Sequence, residues 1–215
     1  MSNAAHTTTR RNFLRTLVAS APVLALAPGR VTAAPRLAPA PDLGFITQEL
    51  PLRRRYEWAR IPPNPDRLRV AQVDRYARIT LHHLGMDVTT VTAESEVKRC
   101  LDGVLGGHLR RHFGDVGYHF LIDYAGRVWE GRLLSYWGAH VANHNERNIG
   151  IVLLGNFEQQ RPSRAQLRSM ERLVAVVRSH YAIPRGQIYG HIDLGQTLCP
   201  GKYLYPRVQR LNQLA

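Results

Sequence analysis

The sequence predicts an α/β fold, a single domain built on one central β-sheet and flanked by about three helices. Three observations carry this. Short apolar, β-branched runs alternate with longer segments of helical period from residue 52 onward. The run "NIGIVLLGNF" at 148–157 is apolar almost without a break, as a strand buried on both faces must be. The segment 162–181 carries a full helix signature, with Ser163 as N-cap, Gln166 three residues on, and a stripe of Leu167, Met170, Leu173, Val174, Val177 and Tyr181.

The elements follow in order. Residues 1–33 read as an export signal: Arg10-Arg11, then Phe13 and Leu14, then a modest Ala/Leu/Val stretch ending in small residues, with cleavage expected after Ala33. The pattern resembles a twin-arginine signal, which implies export of the folded protein to the periplasm, the cell wall or the medium. Its apolar part is short and broken by Pro22 and Pro28, so no stable membrane anchor is expected. Residues 34–50 are proline-rich and read as a linker, leaving 51–215 as the folded domain. "LRRR" at 52–55 reads as a solvated surface run.

"ARITLHHL" at 77–84 reads as a strand. The segment 93–113 spaces Val97, Leu101, Val104 and His108 at helical intervals, and its glycines 103, 106 and 107 would let it lie close to the sheet. "YHFLID" and "RVWEG" read as a hairpin, with Gly126 supplying positive φ in the turn. A last helix is expected from about Pro206, packing through Val208 and Leu211.

The composition, 44% hydrophobic and 21% charged over 215 residues, is that of an ordinary globular protein with room for a proper core. Without residues 1–33 the chain keeps 25 basic and 16 acidic residues, a formal charge of +9. Outside the cytoplasm this favours an anionic polymer such as cell wall as the thing attracted. Without clustered Lys/Arg and interleaved aromatics, nothing points to nucleic acid. The chain is expected to be a monomer.

The chemistry concentrates in "HIDLGQTLCPGK" at 191–202, where His191 and Cys199 flank a loop. Imidazole and thiolate are ligands zinc prefers, but a catalytic ion needs a third. Of the histidine pair 82–83 at a strand end, only one can point to a given side. His82 is the candidate, completing three ligands with an open fourth position; a backbone-bonded structural pair is the alternative. Cys100 sits on the apolar side of the first long helix and reads as a buried, inert thiol.

The motifs "RYEWARIPPNP", "ITLHHLG", "GDVGYHFLIDYAGRVWEGR", "WGAHVANHNERNIGIVLLGNFEQQRPSRAQL" and "YGHIDLGQTLCPGKYLY" resemble, in order, those of peptidoglycan recognition proteins and the related N-acetylmuramoyl-L-alanine amidases. The resemblance implies a mixed sheet flanked by helices, a Zn2+ site at the floor of a groove, and peptidoglycan or muropeptide as substrate. It makes His82, His191 and Cys199 the metal ligands, and Tyr118 and Thr197 the catalytic side chains, with Tyr118 aimed at the oxyanion. His140, Arg132 and His83 fall at positions of substrate contact, although His140 also reads as a surface hydrogen-bonder. Departures are Leu84 for the family's usual threonine and Leu133-Leu134 for Gly-Trp, which alter a rim that helps select the peptide stem. The implied reaction is hydrolysis of the amide between N-acetylmuramic acid and L-alanine. The alternatives are a non-catalytic peptidoglycan-binding module and a zinc peptidase cutting within the stem.

Overall fold

The computed structural model describes residues 36–184 and 186–214; the twin-arginine segment lies outside them. The elements are α1 (Gly44–Thr47), β1 (Leu52–Arg53), β2 (Arg78–His83), α2 (Glu94–Arg110), β3 (Phe120–Ile122), β4 (Val128–Glu130), β5 (Asn148–Leu153), α3 (Arg164–His180), β6 (Ile188–Gly190) and α4 (Tyr205–Leu214). Six strands form one sheet in the order β1-β4-β3-β5-β2-β6. The sheet is mixed: β3 and β4 pair antiparallel, the other neighbours parallel. Gly126, at φ 86°, turns the β3–β4 hairpin as expected.

Strand alternation divides the core. Ile79, Leu81, Phe120, Ile122, Ile149, Ile151 and Leu153 face α3 and α4, meeting Met170, Leu173, Val174, Val177 and Val208. Leu121, Trp129 and Val152 face the other way, toward Val97, Leu101 and Leu105 of α2. β5 is buried at every position because neighbours cover both its edges and helices both its faces. The α3 N-cap forms as read, Ser163 Oγ accepting from Gln166 N at 3.0 Å and Gln166 Oε1 accepting from Ser163 N at 3.1 Å.

Three expectations are corrected. The domain begins before residue 51: Leu43, Ile46 and Leu50 are buried in the α3-side core, because α1 is a single turn that three apolar side chains anchor. The run 52–55 is not simply solvated. Arg53 pairs with Glu94 at 3.5 Å, Arg54 with Glu130 at 2.8 Å and Arg55 with Asp115 at 2.8 Å, the last pair deeply buried. The glycines of α2 do not bring it closer to the sheet. A Cβ at Gly103 would meet nothing, and at Gly106 or Gly107 only the Arg110 side chain.

Candidate metal centre

Strand register assembles the site. β2 and β6 run parallel with Ile79, Thr80 and Leu81 beside Ile188, Tyr189 and Gly190. One residue further, where β6 ends, His191 therefore stands next to His82. Their ring centroids are 4.8 Å apart. Both lie at the carboxyl ends of parallel strands, where open α/β sheets habitually bind ligands. The loop after His191 returns Cys199, whose carbonyl accepts from Ile192 N at 2.7 Å. Cys199 Sγ then lies 3.6 Å from His82 Nδ1 and accepts from the His83 backbone N–H at 3.4 Å.

One ligand atom from each of His82, His191 and Cys199 falls within 4.8 Å of the others. Two imidazoles and a thiolate are a donor set zinc takes, and three protein ligands leave a position for substrate or water. The electrostatics suit a cation. Burial pushes His82 well below its usual pKa, with His140 and His191 adding to the effect, and burial also lowers His191, so both imidazoles are neutral donors. Burial pushes the Cys199 thiol up to about 12, against the pull of the His83 N–H. The proton on that thiol is what an arriving cation would displace. Among the described residues no carboxylate hydrogen-bonds any of the three, so the surroundings of the site are imidazole, hydroxyl and backbone.

Tyr118 lies beside the cluster, its ring centroid 5.2 Å from that of His82. Among the described residues its hydroxyl has no hydrogen-bond partner. Burial, and then the nearby Cys199, push its pKa far up, which keeps it a protonated donor. Thr197 Oγ1 accepts from Cys199 N at 3.1 Å, bending the loop that presents the thiol while its own O–H stays free to donate.

The residues assigned to substrate contact fare differently. Arg132 is 3% exposed, and its guanidinium donates to the carbonyls of Val116, Trp137, Phe113 and Asp115 at 2.8, 2.8, 2.7 and 3.2 Å. It staples the loop before Tyr118 to the segment after β4, at the floor of a cavity lined also by Arg67, Arg69, Phe113 and Trp137; burial lowers its pKa to about 10. His140 is 8% exposed and is bonded to His82, Nδ1 to Nε2, at 3.0 Å, so it backs a candidate ligand from within the fold. His83 accepts from Phe157 N at 3.1 Å through Nδ1, which ties the strand end to the loop after β5 and leaves Nε2 free.

Two further residues at the site escaped the sequence reading. His108, on α2, lies with its ring tilted 57° to that of Tyr118 at a centroid distance of 5.6 Å, and accepts from Gly117 N at 3.0 Å. Asn145 accepts from the backbone N–H groups of His140 and Val141, both at 2.9 Å. An asparagine five residues after a histidine in a segment without regular structure was the available signal. Cys100 is unpaired and packs against the α2-side core as read, but it is half-buried rather than buried.

A family model described as N-acetylmuramoyl-L-alanine amidase matches residues 72–202, which include all three candidate ligands. A peptidoglycan-recognition protein of Drosophila simulans is 30% identical over 161 residues, 73% of this chain and 84% of that protein. An N-acetylmuramoyl-L-alanine amidase of Sus scrofa is 39% identical over 93 residues, 42% of this chain but 16% of that protein. The crystal structure of a Drosophila peptidoglycan recognition protein, of the type designated SD, superposes with a TM-score of 0.69 at 27% identity, covering 75% of this chain and 95% of that one.

Proposed function

The chain belongs to the N-acetylmuramoyl-L-alanine amidase family, and from that premise we propose that it is a zinc-dependent enzyme hydrolysing the amide between N-acetylmuramic acid and L-alanine. The observation that carries the reading is the convergence of His82, His191 and Cys199, whose ligand atoms lie within 4.8 Å of one another. Zinc held there would supply Lewis-acid polarisation of the scissile carbonyl and a lowered pKa for water. Tyr118 donates its hydroxyl to the carbonyl oxygen as charge develops on it, a contact worth roughly 2.7–4 kcal/mol in comparable sites. Thr197 holds the Cys199 loop through its oxygen and offers its proton to substrate. The basic surface draws in an anionic wall polymer. The Arg10-Arg11 segment, read as an export signal, supports work outside the cytoplasm.

A second reading has its own support, since the two Drosophila relatives are both named as recognition proteins: the chain would grip muropeptide without cutting it. Purified peptidoglycan distinguishes them. Hydrolysis must release fragments with new L-Ala amino termini, must stop with a chelator, and must return with added zinc. Fragments cut inside the stem, seen by mass spectrometry, would make the enzyme a peptidase. Binding with no cleavage by zinc-loaded protein would make it a recognition module.

A further inference from the structure

Behind the candidate metal centre runs a buried line of hydrogen-bonding groups. Cys199 Sγ lies 3.6 Å from His82 Nδ1, His82 Nε2 lies 3.0 Å from His140 Nδ1, and His140 Nε2 lies 3.2 Å from the Asn148 carbonyl oxygen. The carbonyl can only accept, so His140 Nε2 carries the hydrogen. A neutral imidazole has one such hydrogen, which makes His140 Nδ1 an acceptor. His82 Nε2 must then donate to it. That leaves the lone pair of His82 on Nδ1, the nitrogen facing Cys199.

The placement of His140 is built from both sides. A Cβ at Gly138 would fall 2.3 Å from the ring of His140, and a Cβ at Gly150 2.4 Å from it, so only glycines leave room for the imidazole. Asn145 Oδ1 takes the N–H groups of His140 and Val141, fixing the backbone that carries the ring. The other buried imidazole nearby, His119, does not compete. Its Nδ1 accepts from Gly150 N at 3.0 Å and its Nε2 meets the Tyr136 carbonyl at 3.0 Å.

We infer that His140 is a positioning residue that sets the tautomer and ring orientation of His82, so that Nδ1 of His82 is the nitrogen offered to the cation. The inference rests on the reading of His82 as a metal ligand. Ligating histidines commonly give their second nitrogen's hydrogen to a carboxylate, carbonyl or water, and such partners are typically worth about 10–100-fold in metal affinity. Here an imidazole fills that place and hands the bond on to a backbone carbonyl.

Long-range 1H–15N spectra of the zinc-free protein, which read the protonated nitrogen of each histidine, test this directly. Zinc affinity by chelator competition and the visible spectrum of the cobalt-substituted protein supply the second readout. Wild-type His82 is expected to be protonated on Nε2. His140→Leu should mix the His82 tautomers, weaken zinc by about 10–100-fold and change the cobalt spectrum. His140→Gln, which keeps an acceptor and a donor, should restore much of the affinity. Wild-type His82 protonated on Nδ1 overturns the inference, as does a His140→Leu variant with unchanged tautomer and unchanged zinc affinity. If wild-type protein takes up no zinc, the amidase reading falls, and the His82 tautomer alone still decides the role of His140.

Discussion

The backbone N–H of His83 donates to Cys199 Sγ at 3.4 Å, so the end of β2 supplies one candidate metal ligand through His82 and supports another through its next residue. In the metal-free protein that support is outweighed by burial, and the thiol keeps its proton up to about pH 12. His82 and His191, pushed below 6.5, are already unprotonated at neutral pH. Between pH 6.5 and 9 zinc uptake therefore displaces one proton, that of Cys199, and affinity should rise about tenfold per pH unit. Chelator competition at pH 7, 8 and 9 measures the slope; a flat response would mean a thiolate already formed. Cys199→Ser should lose zinc by more than the roughly 10–100-fold of an outer partner, and activity with it.

Tyr118→Phe separates donation from folding. The hydroxyl has no protein partner among the described residues and the ring keeps its contact with His82, so removing one oxygen should leave stability and zinc affinity unchanged. The turnover number should fall about 10²–10³-fold, as for loss of an oxyanion donor. Steady-state kinetics on a soluble muropeptide measures this. An unchanged turnover number would remove Tyr118 from the chemistry.

The convergence of His82, His191 and Cys199 was legible in the sequence because its chemistry is rare: two cysteines in the chain, one of them in a loop eight residues after a histidine, and a histidine pair ending an apolar strand. The sheet and the two long helices were legible from period and capping. What stayed hidden depends on contacts distant in sequence. His140 reads as a groove residue or a surface hydrogen-bonder until Gly138 and Gly150 are seen to clear its space inside the fold, and Gly150 belongs to another element. Arg132 falls at a position of substrate contact, and the sequence does not show the four carbonyls that take its guanidinium. Arg55 looks solvated because its carboxylate comes 60 residues later. The turn at 44–47 is masked by prolines on one side, yet Ile46 is fully buried.

Arg55 and Asp115 meet through two bonds, of 3.2 and 2.8 Å, and join the first strand's end to the loop that carries Tyr118. Burial raises the Asp115 pKa in spite of Arg55, so the pair does not fully offset its own desolvation. Removing one partner should then cost far more than removing both. Asp115→Ala is expected to destabilise by about 3–5 kcal/mol, while the double variant Arg55→Met with Asp115→Leu recovers most of that. Urea unfolding of the three proteins checks it; equal losses in single and double variants would contradict the account.

His119 predicts how stability depends on pH. The ring is fully buried, Nδ1 accepting from Gly150 N and Nε2 donating to the Tyr136 carbonyl. Burial, only partly opposed by that carbonyl, holds its pKa down at about 4, against 6.5 in an unfolded chain. Between those values the unfolded chain binds a proton that the native one refuses, so stability rises with pH through the window and is complete above 6.5. The drop from 6.5 to about 4 corresponds to on the order of 3 kcal/mol. His108, also held at about 4 by burial, adds to the loss in the same direction. Zinc-free protein should therefore unfold at markedly lower urea at pH 4.5 than at pH 7. His119→Gln, which keeps a donor and an acceptor but cannot titrate, should flatten that dependence by the His119 share. An unaltered slope in the variant would assign the acid sensitivity to other groups.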